Sequence, residues 1–354
     1  MLDQYFKLTE NDTSVRTEII AGVTTFLTLT YIMFVNPSIL AETGMDHGAV
    51  FVATCLAAAV GTMIMGVVAN YPVAVAPGMG LNAYFAFGVV LGMGHSWQVG
   101  LGAVFLSGII FVVLSILPVR EWIINAIPDS MKRAISAGIG LFLAIIALKN
   151  AGWVVDHPAT LVTLGDVSAP PALLSAAGFI LIAVLFARRI PGAIIIAILL
   201  VTGVGIALGV TPSGGIISMP PSLAPTFMQM DIMGALNIGL ISIIFAFLFV
   251  DLFDTAGTLV GLAHRGNLLD ANGKLPRLRR ALLAVSSATV VGAALGTSTT
   301  TSYIESASGI NAGSRTGLTA VVIALLFLIS LFFHRLQPQS QPMRPHLHCF
   351  LSPV

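Results

Sequence analysis

Apolar runs long enough to cross a bilayer follow one another along nearly the whole chain, and nothing else constrains the fold as strongly. A spanning helix needs about 20 apolar residues. Runs of that kind lie at 19–35, 49–69, 72–91, 98–117, 133–149, 172–187, 192–210, 234–258, 281–295, 297–315 and 317–333, which predicts eleven spans. Only 9% of the residues are charged and 56% are hydrophobic, against about 25% charged in soluble domains. Hydrocarbon offers no partner to a free N–H or C=O, so such runs fold as helices. The expected fold class is all-α, polytopic and membrane-embedded. The opening "MLDQYFKLTENDTSVRTE" is polar and lacks the order of a cleavable signal.

Basic residues sort by side. With the N-terminus in the cytoplasm, thirteen of the sixteen Lys and Arg residues fall on that face. The far face holds Lys149 alone, once Arg335 and Arg344 of the tail are set aside. This asymmetry predicts a multi-pass protein of the cytoplasmic (inner) membrane with a cytoplasmic N-terminus. A net charge of +1 implies no nucleic-acid partner. The two cysteines, Cys55 and Cys349, exclude a disulfide framework and a multi-cysteine metal centre. No cofactor is expected, and no Cys/His or Ser/His/Asp set supports an enzyme.

Two of the runs make poor helices. The third reads "YPVAVAPGMGLNAYFAFG", and the tenth contains "GTSTTTSYIESASG". Each alternates small and β-branched residues before a glycine or a polar break, the pattern of a short extended segment feeding a half-helix. If the eighth span restarts the order begun by the first, the offset is odd and the second copy is inverted. Interrupted segments at matching places in inverted halves point to a transporter's binding site. The blander alternative is that proline and glycine merely kink two packing helices.

Three acids fall within the runs: Asp251 and Asp254 in "FVDLFDTAGTLVG", and Glu305. No Lys, Arg or His lies in the run cores to pair with them. A carboxyl group at that depth is rare and functional by default. Asp254 and Glu305 are candidate substrate and proton sites. Asp251 is either a third proton site or a group in an ordinary polar crevice. Gly80 and Asn82 follow the break in the third span, where Asn82 serves as a ligand group, a helix cap, or both. Thr255 and Tyr303 complete the candidate set. Acceptor carboxylates without a base suit a cation or a neutral ligand rich in N–H donors, on which Phe85, Phe253 or Tyr303 could stack.

"NYPVAVAPGMGLNAYFAFGVVLGMG", "FVDLFDTAGTLVGLA" and "LGTSTTTSYIESASGINAGSRTGLTA" resemble the azaguanine-like purine permease branch of the nucleobase transporter family. "VRTEIIAGVTTFLTLTYIMFVNPSIL" and "RAISAGIGLFLAIIALKNAG" extend the resemblance over about residues 5–333. It implies proton-coupled uptake of guanine, hypoxanthine or adenine. It also implies the uracil-transporter-like fold, an inverted repeat of seven helices with interleaved core and gate domains. On that scheme residues 1–210 form the first repeat and 211–333 the incomplete second. By motif position, Gly80, Asn82, Asp254 and Glu305 match the family's site residues. Residues 334–354 depart from the pattern and read as a non-spanning tail, which implies C-terminal truncation and leaves a transport-inactive remnant as an alternative. An ion channel or anion exchanger on this fold is disfavoured by the missing rings of charge. Lipid surrounds the spans, and a homodimer stays open.

Overall fold

The computed structural model describes residues 2–117, 138, 141, 144–145, 147–149, 151–157, 160–188, 190, 193–209, 218–237, 240–270 and 275–336. The expected span at 133–149 and the tail beyond 336 therefore lie mostly or wholly outside the described residues. Among the described residues, seven helical segments are long and apolar enough to cross a membrane. They cover Val15–Ala41, His47–Ala69, Trp97–Ile116, Pro170–Ala187, Ile241–Gly266, Leu278–Leu295 and Gly317–His334.

The first segment is two helices, α1 Val15–Leu29 and α2 Ile32–Ala41. The seam falls at Thr30, whose hydroxyl donates to the Phe26 carbonyl four residues back. Such back-bonding bends helices, and Met33 and Phe34 then donate to Thr30 and Tyr31 in a tightened turn. Pro37 lies inside α2 and withholds the N–H that Met33 would otherwise accept. α3 spans His47–Ile64, capped by Asp46, and loosens into a π-helical stretch over Met65–Ala69.

The third expected span is not one helix. Strand β1, Val75–Pro77, comes first, then α4, Met79–Ala83, which widens into a π-helix over Tyr84–Gly92. α5 runs from Trp97 to Ile116. Strands β2 (Val154–His157) and β3 (Leu161–Leu164) pair as a hairpin, which the sequence reading did not anticipate. α6 is Pro170–Ala187 and α7 is Ala193–Ala207.

The eighth expected span starts later than 234: α8 is Ile241–Gly266, preceded by a single turn at Ile232–Ala235. α9, Leu278–Leu295, ends at Gly296, whose φ of 101° suits a residue without a Cβ. The tenth expected span is again broken, into β4 (Thr300–Ser302) and α10 (Ser306–Asn311). α11 covers Gly317–Ser330.

Apolar helices in lipid gain little from burying one another, so close approach depends on small residues. The π-helical stretch after α3 crosses α11 where Gly66 meets the Gly317 carbonyl, and α3 meets α9 where Gly61 faces Ala288. Near that first crossing, Glu18 of α1 is fully buried. Its carboxylate accepts from the Arg315 N–H (2.8 Å), the Thr319 N–H (3.3 Å) and the Thr319 hydroxyl (2.6 Å). An anion there satisfies donors that the first turn of α11 leaves free. The expected first span began one residue too late to include it.

Candidate functional site

β1 and β4 lie antiparallel, with Val75 opposite Ser302, Ala76 opposite Thr301 and Pro77 opposite Thr300. Two flanking bonds lengthen the ribbon, Gly78 N–H to the Thr299 carbonyl (2.8 Å) and Tyr303 N–H to the Ala74 carbonyl (2.9 Å). Extended backbone inside an apolar protein must be fully paired, and each strand is the other's partner. All six strand residues are buried. Behind the ribbon stand the hydroxyls of Thr62, which donates to the Val75 carbonyl (2.8 Å), and Thr289, which accepts from the Thr300 N–H (3.1 Å).

The cavity opens where the ribbon runs into its helices. Its volume is about 150 Å³. Its walls are Tyr31 from the α1–α2 seam, residues 78–81 of the β1–α4 turn, Asp254 and Thr258 of α8, and residues 301–305. Among the described residues, no Lys, Arg or His is on that wall.

Each cavity acid is held by one hydroxyl. Tyr31 donates to Glu305 Oε1 at 2.7 Å, and Thr301 donates to Asp254 Oδ2 at 3.0 Å. The second oxygen of each has no hydrogen-bond partner among the described residues. Tyr303 shares the wall but turns its hydroxyl to the Pro77 carbonyl, tying the two breaks together. Gly80 lies on the wall. The first N–H groups of α4 have no carbonyl a turn earlier within the helix, so this turn offers main-chain donors to the cavity.

Three expectations take different form. Asn82 does not line the cavity and does not cap α4, whose cap position is Gly78. It is fully buried, and its amide donates to Asn36 Oδ1. Asn36 in turn donates to Thr54 (2.7 Å) and Thr297 (2.9 Å), so the pair braces the wall from behind. Thr255 is also off the wall, bonded to Thr301 at 3.1 Å and to Asp251 at 3.4 Å. Asp251 is 1% exposed and accepts from Thr289 at 3.1 Å. The start of α10, unlike that of α4, offers no free N–H groups among the described residues. Ser306, Ala307 and Ser308 donate to the carbonyls of Tyr303, Ile304 and Glu305, which closes the start of α10.

Sequence reasoning missed Tyr31 and Thr301. Tyr31 lies in "LTLTYIMF", where an aromatic residue reads as packing or lipid contact. Thr301 was one of six consecutive hydroxyl residues with nothing to single it out. Asn36 had a usable signal, an Asn-Pro pair inside an apolar run.

Solved structures share this arrangement of helices. The transmembrane domain of a cyanobacterial bicarbonate transporter, BicA, superposes with a TM-score of 0.63 over 89% of this chain and 81% of that one, at 15% identity. Murine Solute Carrier 26 family member A9, an anion transporter, gives 0.65 over 91% of this chain and 57% of that one, at 8% identity. At such identities the likeness is one of fold, that of a mostly helical polytopic membrane protein. Sequence relatives are far nearer. A putative permease of Methanocaldococcus jannaschii is 55% identical over 94% of this chain and 77% of its own length. The adenine permease AdeP of Escherichia coli is 50% identical over 94% of this chain and 75% of its own. The guanine/hypoxanthine permease PbuG of Bacillus subtilis is 49% identical over 93% and 77%. A model of the permease family matches residues 16–338. With a match of that extent, and relatives this similar over most of their own length, the chain belongs to the xanthine/uracil/vitamin C permease family.

Proposed function

We propose that this chain carries purine nucleobases (guanine and hypoxanthine, or adenine) across the cytoplasmic membrane together with protons. One observation carries the reading: among the described residues, Asp254 and Glu305 share a cavity without a basic residue, and one carboxyl oxygen of each has no hydrogen-bond partner. Such a wall accepts hydrogen bonds from ring and exocyclic N–H groups and repels anions. Its relatives' names, adenine permease and guanine/hypoxanthine permease, point to the same class of ligand. Gly80 and the first turn of α4 supply main-chain donors for ring nitrogens and carbonyl oxygens, and Tyr303 supplies a flat face. Asn82, Thr255 and Asp251 act from behind the wall.

The larger frame is part of the proposal. Residues 1–210 form one repeat of seven spans and 211–333 the first four spans of an inverted second, eleven in all, with β1 and β4 as equivalent breaks. Transport then moves the ribbon and its helices against the remaining spans, with the N-terminus in the cytoplasm. Uptake of labelled adenine, guanine and hypoxanthine is measured in a host lacking its own purine carriers, with and without a protonophore. Uptake of one or more, collapsing with the protonophore, is expected. Glu305→Gln should lower it by about ten- to a hundredfold, as loss of a charged acceptor predicts. Full uptake in that variant with unchanged proton dependence would remove Glu305 from the mechanism.

A further inference from the structure

Resting on that reading, we propose that Asp251 and Asp254 share one acid proton, and that Thr255 and Thr301 conduct it between them. The four groups form an unbroken line. Asp254 Oδ2 meets Thr301 Oγ1 at 3.0 Å, Thr301 Oγ1 meets Thr255 Oγ1 at 3.1 Å, and Thr255 Oγ1 meets Asp251 Oδ1 at 3.4 Å. Asp254 opens on the cavity, while Asp251 and Thr255 are buried.

Counting hydrogens makes the case. Three contacts need three hydrogens, and two hydroxyls supply two. The third comes from a carboxyl group. If Thr301 donates to Asp254, then Thr255 donates to Thr301 and Asp251 donates to Thr255. With the order reversed, Asp254 carries the proton and every bond points the other way. The line therefore has two states that differ only in which end is the acid.

At rest the proton sits on Asp251. A carboxylate there would be fully buried with the Thr255 hydroxyl on Oδ1 and the Thr289 hydroxyl on Oδ2 and no cation beside it among the described residues, and a buried charge without a counter-charge is costly. Asp254 faces open space and bears charge more readily. Among the described residues, the titratable groups around the pair are Glu305, Tyr31 and Tyr303 across the cavity, and α9 places the Thr289 hydroxyl on Asp251. In transfer, the Asp251 O–H bond breaks as a Thr255 O–H bond forms. Thr255 passes its own hydrogen to Thr301, and Thr301 passes its hydrogen to Asp254. Asp251 ends as carboxylate, Asp254 as acid, and each hydroxyl keeps one hydrogen. Asp254 thus gains or loses a donor hydrogen as the cavity fills or empties, and it exchanges that hydrogen with the water of the open cavity.

Two measurements on the full chain test this. Infrared spectra of purified protein at neutral pH should show a protonated carboxyl band that Asp251→Asn removes. A wild type without that band, or a band that survives the substitution, overturns the proposal without reference to any ligand. Thr255→Val removes the relay hydroxyl but leaves both acids and the cavity wall. It should cut proton-driven purine accumulation at least tenfold, leave exchange of labelled for unlabelled purine within about twofold of wild type, and recover in Thr255→Ser. Wild-type accumulation in Thr255→Val overturns the relay, and so does equal loss of exchange and accumulation. A wild type that shows the band but takes up no purine sinks the transport reading and leaves the shared proton standing.

Discussion

On the proposed reading, the Tyr31 hydroxyl decides which oxygen of Glu305 is left for a ligand. Tyr31→Phe keeps the ring and its packing but frees Oε1, so the carboxylate can turn away from the cavity. The KM for the transported purine should rise about fivefold, with thermal midpoint unchanged, as expected for one hydrogen bond to a charged group. In a Glu305→Gln background the same change should add little, because Tyr31 acts through that carboxylate. Uptake kinetics of the four proteins decide it. Glu18 predicts the opposite split. Glu18→Gln withdraws an acceptor from the start of α11 and should cost about 1–3 kcal/mol, seen as a lower thermal midpoint in detergent with unchanged KM. Asp254 and Glu305 were legible in the sequence because a carboxyl group inside an apolar run is expensive enough to need a reason. Tyr31 was not, since its partner stands 274 positions away and an aromatic in an apolar run needs no reason. Asn82 was legible as polar and misplaced as a ligand group, because its partner Asn36 also comes from a distant element.

At the scale of elements, the glycines divide sharply by surroundings. A Cβ on Gly317 would meet backbone of Gly66 and Asn70, whereas one on Gly257 would meet nothing within 4 Å. Gly317→Val should therefore part α3 from α11 at a cost of about 1–3 kcal/mol and lower the amount of folded protein. Gly257→Ala should hold or raise the midpoint, by up to about 1 kcal/mol from helix propensity. Parallel thermal melts compare them. The breaks in the third and tenth spans could be read locally from proline, glycine and β-branched alternation. Their pairing into one ribbon could not, because register between strands so far apart is set by packing. The β2–β3 hairpin escaped notice for another reason: its strands are four residues each, too short to outweigh the neighbouring apolar runs.

Across the whole molecule, orientation is the testable unknown. With Cys349 replaced by serine, the remaining cysteine is Cys55, which is fully buried. A cysteine introduced at Arg265, in the last turn of α8, should react with a membrane-impermeant maleimide in inverted vesicles and stay unlabelled in intact cells. The reverse pattern would overturn the assignment from basic residues. The ribbon also sets a timetable for biogenesis. The Tyr303 hydroxyl that bonds the Pro77 carbonyl belongs to a residue 226 positions downstream. At roughly 5–20 residues per second of synthesis, β1 leaves the ribosome about ten to forty-five seconds before its mate. Through that interval its main-chain groups must be sheltered by the insertion machinery or by water, so the nascent chain is most vulnerable to misassembly and degradation before the tenth span arrives.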